Sequence, residues 1–167
     1  MQLGDNTHYS SLDLSKMFHQ IECEADSRKY LNFNCPQGTY TYTVLPFGLK
    51  NAPSYASKLI SDCLGELYGK AAINFMDDIL ILGRSNKEHL KNIELVLEQL
   101  MKFNLKINLR KTKFFKKYVK YLGFYLGNGE CVKDPEKVKA VDAFPTPTSC
   151  KSTLSFVCMV AFLLRNL

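Results

Sequence analysis

Ile73-Asn74-Phe75-Met76-Asp77-Asp78-Ile79-Leu80-Ile81-Leu82 sets two adjacent carboxylates inside an apolar run that extends from Ala71 to Gly83. The flanks read as the two strands of a buried hairpin, where an unpaired charge is expensive. Side by side, two anions also repel each other and raise one carboxyl pKa. Such a pair persists as a tight exposed turn, in which Asp is a favoured residue, or where a divalent cation neutralises it. The stretch alone leaves both readings open.

A third acid lies upstream. Ser11-Leu12-Asp13-Leu14 closes the partly alternating segment Tyr9–Leu14, which reads as a strand. If that strand lies beside the 73–82 hairpin, Asp13, Asp77 and Asp78 converge at one end of a sheet. Three carboxylates without a matching His or Cys favour a hard, oxygen-liking cation such as Mg2+ over zinc. Two such ions held about 3.5–4 Å apart stabilise the attacking and leaving oxygens of a phosphoryl transfer.

The elements around these acids predict an α+β fold, an antiparallel sheet with helices on one face. Strands are expected over Lys29–Asn34 and Thr39–Leu45, joined by Cys35–Gly38 as a half-buried hairpin. A helix follows from Ala52 to about Tyr68, with Asn51 as its cap, Pro53 in its first turn and Gly69 ending it. Ser85-Asn86-Lys87-Glu88 is a capping box, opening a helix with Leu90, Ile93, Leu97, Leu100 and Met101 on one face. Two or three short strands fit Lys106–Val132, with Gly127-Asn128-Gly129 as a turn. Asp134-Pro135-Glu136 starts a short helix ending before Pro145, and an apolar helix runs from Ser149 to the end.

Composition excludes several classes. Of 167 residues, 46% are hydrophobic and 23% charged, an ordinary globular balance. Six cysteines without a C-x-x-C spacing read as thiols in a reducing compartment rather than a zinc site or a disulfide scaffold. Met1–Asp5 lacks the basic and apolar regions of a signal peptide. The best apolar run, Leu154–Leu164, is far short of the roughly 18–20 residues of a membrane span, so no membrane association is expected. The net charge of +6 is unevenly spread: residues 1–83 carry −3 and residues 84–167 carry +9. Lys102–Lys120 holds eight basic residues and no acid, which suits a polyanion or a solvated lysine-rich face.

Taken in order, these segments resemble the motifs of reverse transcriptases. Ser11–Ile21 (SLDLSKMFHQI) is similar to the first catalytic motif, and Val44–Pro53 (VLPFGLKNAP) to the nucleotide-site loop and helix start. Phe75-Met76-Asp77-Asp78 resembles the aromatic-x-Asp-Asp hairpin, Leu105–Asn108 with Lys111 the next motif, and Tyr121-Leu122-Gly123-Phe124 the primer grip. Asp134–Val138 and Phe144–Pro147 continue the match, nearest in style to gypsy-type LTR retrotransposon polyproteins, and Asp26–Tyr30 is also similar to retroviral enzymes.

The resemblance implies a polymerase palm over residues 1–133, with part of the fingers at about 19–52, and the incomplete start of a thumb over 134–167. It implies an RNA-directed DNA polymerase that transfers a deoxynucleotide to a primer 3′-OH and releases pyrophosphate. Asp13, Asp77 and Asp78, with the Leu14 carbonyl, would hold two Mg2+, with Mn2+ able to substitute. Phe18 would fill the space of a ribose 2′-OH, and Phe47 and Gly48 would pack near the incoming dNTP. Met76, Leu122 and Gly123 would hold the primer end, and Lys111 would act as proton donor to the departing pyrophosphate. The partners implied are an RNA or DNA template with its primer, and the rest of a Pol polyprotein: fingers, thumb and RNase H. An intracellular location, cytoplasmic or in virus-like particles, goes with them.

The sequence departs from the family pattern in places. Phe75 stands for the usual Tyr, Met17 for a Gly before the gate, and Leu109 and Thr112 for Pro and Cys. With the N-terminal fingers and most of the thumb lacking, the isolated chain is expected to extend primers weakly or not at all. The alternative is a truncated, non-catalytic retroelement relic that keeps the fold and binds nucleic acid through residues 102–120.

Overall fold

The computed structural model describes residues 6–127 and 130–165. In chain order they form β1 (His8–Asp13), α1 (Ala25–Arg28), β2 (Asn32–Cys35), β3 (Gly38–Thr41), α2 (Ala52–Leu64), β4 (Ala72–Phe75) and β5 (Asp78–Gly83). Then come α3 (Asn86–Lys102), β6 (Lys113–Lys116), β7 (Tyr118–Tyr121), β8 (Phe124–Gly127), β9 (Glu130–Lys133), α4 (Pro135–Asp142) and α5 (Cys150–Arg165). Short 3-10 turns lie at Met17–Gln20 and Gly65–Leu67.

The main sheet has the order β4-β5-β1-β6. β1 and β5 are antiparallel along their whole length, from His8 opposite Gly83 to Asp13 opposite Asp78. Side chains alternate across a strand, so this register sorts the residues into two faces. Leu12, Ile79 and Ile81 face Ala56, Ile60, Cys63 and Leu64 of α2 and Ile93, Val96 and Leu100 of α3 in the larger core cluster. Tyr9, Leu80 and Leu82 face the other way, onto Val119, Tyr121, Phe124 and Leu126 of the separate β7-β8-β9 sheet. The expected helices on one face are therefore present, and the second face is covered at one end by three strands.

Several expectations need correction. Residues 29–31 turn instead of forming strand: Tyr30 and Leu31 amides donate to the Ser27 and Arg28 carbonyls, prolonging the turn of α1. Beyond Tyr42, whose amide still donates to the Leu31 carbonyl, the chain leaves its hairpin partner, the Thr43 carbonyl accepting from the Cys23 amide and the Leu45 amide donating to the Ile21 carbonyl. The β2–β3 hairpin is exposed rather than half-buried, its Phe33 ring packing on Tyr40 and Tyr42. α2 stops at Leu64, because Gly65 takes φ +52° and the chain tightens into a 3-10 turn; Asn51 makes no side-chain cap bond. Between Lys106 and Val132 the chain forms four strands, β6 to β9, the last extending to Lys133.

α3 is capped as expected, Ser85 Oγ accepting from the Glu88 amide, while the Glu88 carboxylate turns back to the Arg84 amide. Its buried face is different: His89, Ile93, Val96 and Leu100 point inward, whereas Leu90 is 49% and Met101 78% exposed. The reason is His89, whose Nε2 lies 2.7 Å from Ser10 Oγ inside the sheet–helix interface. Gly83 permits that approach, since a Cβ there would stand 2.6 Å from His89 Cβ. Met1–Asp5, Asn128, Gly129 and the last two residues of the predicted terminal helix lie outside the described residues.

Candidate active site

β1 ends where β5 begins, and that meeting gathers the acids. Asp13 and Asp78 are direct cross-strand partners, and the Leu14 amide donates to the Asp77 carbonyl at 2.9 Å. Phe75 opposite Asp78 closes a two-residue turn made of Met76 and Asp77, in which Met76 is held at φ +51°. A non-glycyl residue in that region stores about 1–3 kcal/mol of strain, which persists where the surroundings over-determine it. By strand alternation Asp13 and Asp78 belong to the face of Tyr9, Leu80 and Leu82, away from the helices.

The far side of β1 brings in the fourth charge. Asn108 N–H donates to the Asp13 carbonyl at 2.7 Å, Ser15 N–H donates to the Lys106 carbonyl at 2.9 Å, and Leu14 bridges Ile107. The Asn108 carbonyl accepts from the Lys111 and Thr112 amides, forming the turn that swings Lys111 back. Its Nζ lies 3.2 Å from Asp13 Oδ2, with the Lys111 side chain 67% and Asp13 15% exposed. Burial pushes the Asp78 carboxyl above its ordinary range, the charges of Asp77 and Asp13 push it further, and Lys111 opposes them.

Oxygen donors of this kind suit a hard divalent cation. As placed, no three His, Cys, Asp or Glu side chains among the described residues are grouped to hold an ion. The donor type fits such an ion, but as placed the acids are not grouped around one, and Asp13 is engaged by a lysine.

Phe18 and Phe47 form a second group, their rings edge-to-face at 5.3 Å, with the His19 ring also edge-to-face on Phe47 at 5.0 Å. Phe47 remains 70% exposed, and Gly48 takes φ +93°, a conformation that glycine adopts without penalty. Met17, standing where the family has Gly, is buried in the core; the positive φ falls one residue earlier, at Lys16.

Leu122 and Gly123, at φ +51° and +82°, are the two turn residues between the closing pair Tyr121 and Phe124 of β7 and β8. Leu122 packs beside Ile73 against the second core cluster. Tyr121 is buried there, its hydroxyl pushed far up by burial and then by the charges of Asp78 and Tyr68, so this turn shares a face with the acids. The Asp134 amide donates to the Gly123 carbonyl, and Asp134 Oδ2 pairs with Lys120 Nζ at 2.6 Å. That ammonium holds the Asp134 carboxyl below its usual range.

One residue that the sequence did not single out ties the first two groups together. The Gln20 amide donates to the Ser15 and Lys106 carbonyls and accepts from the Lys106 amide at 2.6 Å. It staples the turn that carries Phe18 to the segment that carries Lys111. A loop amide has no periodicity to betray it, and only its place in the 11–21 motif pointed there.

Residues 1–126 match the protein family described as reverse transcriptase (RNA-dependent DNA polymerase). The Pol polyprotein of transposon opus from Drosophila melanogaster is 37% identical over 160 residues, covering 96% of this chain and 16% of that protein. This chain belongs to the reverse transcriptase family. The Pol polyprotein of transposon gypsy, also from Drosophila melanogaster, is 34% identical with the same coverage, so the gypsy-type character read from the motifs holds. This reverse transcriptase segment thus spans about one sixth of the relatives it matches. Its fold is similar to that of part of the foamy viral protease-reverse transcriptase. The structure of that enzyme with double-stranded DNA has a TM-score of 0.82 at 24% identity and covers 94% of this chain and 27% of that one. The same enzyme with an RNA/DNA hybrid gives 0.75 at 24% identity, covering 97% and 23%. Reverse transcriptases are RNA-directed DNA polymerases and generally use divalent metal ions. No helix among the described residues is long and apolar enough to cross a membrane.

Proposed function

We propose that this chain supplies the palm of an RNA-directed DNA polymerase, transferring a deoxynucleotide to a primer 3′-OH with release of pyrophosphate. The observation that carries the reading is Asp13 facing Asp78 in register on the helix-free face, with the Lys111 ammonium 3.2 Å from Asp13. Asp13, Asp77 and Asp78, with the Leu14 carbonyl, would hold two Mg2+, or Mn2+ in their place. Bound there, the ions would supply Lewis-acid stabilisation of the attacking and leaving oxygens. Phe18, braced by Phe47, excludes a ribose 2′-OH, and Gly48 lets the backbone approach the dNTP. Met76 and the Leu122-Gly123 turn orient the primer end. Lys111 holds a proton for the departing pyrophosphate, as general-acid catalysis requires.

The eight basic residues of Lys102–Lys120 are all exposed, which fits them to the phosphates of an RNA or DNA template with its primer. Residues 1–133 serve as palm, with fingers at about 19–52, and 134–167 begin a thumb. The fingers, thumb and RNase H of a Pol polyprotein complete the enzyme, which works in the cytoplasm or in virus-like particles.

Electron paramagnetic resonance titration of Mn2+ tests the reading on the chain itself, beside single-nucleotide addition to a primed poly(rA). The expected result is saturable Mn2+ binding lost in Asp77→Asn, with extension at most slow. Mn2+ binding that is absent, or that Asp77→Asn leaves unchanged, refutes it. Salt-dependent duplex binding that needs no metal and survives Asp77→Asn and Asp78→Asn would leave a nucleic-acid-binding relic instead.

A further inference from the structure

The ammonium on Asp13 is held by construction rather than by chance of a long side chain. Lys111 follows a turn whose anchor, Asn108, is itself bonded through its amide to the Asp13 carbonyl. A second clamp, the Gln20 amide on both the carbonyl and amide of Lys106, fixes the same segment against β1. The lysine is thus tethered to the very residue it neutralises. Asp77 and Asp78 receive no such partner: the salt bridges among the described residues are those of Lys111 with Asp13 and of Lys120 with Asp134 and Glu136.

We propose that the Lys111 ammonium is an internal placeholder for a divalent cation, and that the two compete for the Asp13 carboxylate. A doubly charged ion and an ammonium on one carboxylate repel each other, so gathering Asp13 with Asp77 and Asp78 around metal requires Lys111 to let go. In the unliganded chain the lysine offsets the repulsion among three acids. When it is displaced, it leaves Asp13 on a short tether and is free to meet a phosphate close by. Release of the proton donor is thereby tied to loading of the site. The inference rests on the polymerase reading, because it takes the three acids as the metal donors.

Mn2+ titrations of the full chain test it, read by electron paramagnetic resonance, with circular dichroism confirming that each variant is folded. Lys111→Met removes the competitor and should tighten Mn2+ binding about five- to tenfold, the screened repulsion between single and double charges a few ångströms apart at an exposed site. Lys111→Arg keeps the charge and should stay within about twofold of the wild type, as should Lys87→Met, which removes an equal charge from α3. Lys111 is exposed, so these variants should fold.

Binding that Asp77→Asn abolishes but Lys111→Met leaves unchanged or weakens overturns the competition while the metal site stands. Equal tightening in Lys87→Met and Lys111→Met also overturns it, since net charge alone would then be responsible. Absence of saturable binding in both wild type and Lys111→Met removes the polymerase reading and the inference with it.

Discussion

Tyr121→Phe removes one atom from the wall between the two sheets. Tyr121 is 6% exposed, and its hydroxyl has no hydrogen-bond partner among the described residues. The ring fills space shared with Tyr9, Leu80 and Val119, so Phe preserves the packing and deletes only the polar group. A buried hydroxyl left unbonded costs about 1–3 kcal/mol. The variant should therefore be more stable by about 1 kcal/mol, the lower figure allowing for relaxation. Urea unfolding followed by circular dichroism reads this directly. With m of about 1–3 kcal/mol/M, the midpoint should rise by roughly 0.3–1 M at unchanged m. The thermal midpoint should rise by about 2–4 °C for a chain of this size. A midpoint lowered by the substitution refutes the reasoning: the hydroxyl would then hold an ordered water or reach an acid of the site, and its retention would be structural.

Gly83→Ala should destabilise by about 1–3 kcal/mol, seen in the same unfolding assay, because the added Cβ meets both the Cβ and the backbone of His89. Acid should weaken the fold through His89. Burial holds this imidazole below its ordinary value of 6.5, so the unfolded chain binds the extra proton. Its contribution is complete above pH 6.5 and is lost progressively as pH falls below that value towards the lowered pKa of the folded chain, with a slope of at most about 1.4 kcal/mol per unit. Thermal melts from pH 8 to 5 should show the loss, reduced in His89→Gln; parallel curves would exclude the histidine. Asp78→Asn should raise the unfolding midpoint at pH 7, since burial and the charges of Asp77 and Asp13 disfavour its carboxylate. An unchanged or lower midpoint would show that the acids do not strain one another.

How much of this could be read beforehand follows the physics of each element. The aspartate hairpin and β1 were legible because a charge inside an apolar run is costly enough to demand an explanation. The capping box at Ser85 was legible because it is local. The inward face of α3 was not, since burial of His89 depends on Ser10 and on the missing side chain of Gly83, both distant in sequence. The 29–45 segment misled because its alternation fits an exposed hairpin as well as a half-buried one, and Val44 found its partner in Glu22 instead. The Gln20 staple and the Asn108 turn work through backbone amides and carbonyls, which no side-chain pattern reports. The Asp13–Lys111 contact spans 98 positions, and the resemblance put both residues in the site without pairing them.

The central position of β1 has a consequence for how the molecule opens. β1 is bonded to β5 on one side and to β6 on the other, and at Asp13 the chain is still gripped from both sides, by Asp78 and by Asn108. Catalytic groups are commonly found on the least protected parts of a protein. Here Asp13, proposed above as a metal ligand, sits at the end of the strand whose release would part β5 from β6. Amide hydrogens along β1 should exchange only through global unfolding, while those of the exposed β2–β3 hairpin exchange through small local openings. A chain whose β2–β3 hairpin has frayed would still carry Asp13 and Asp78 in register.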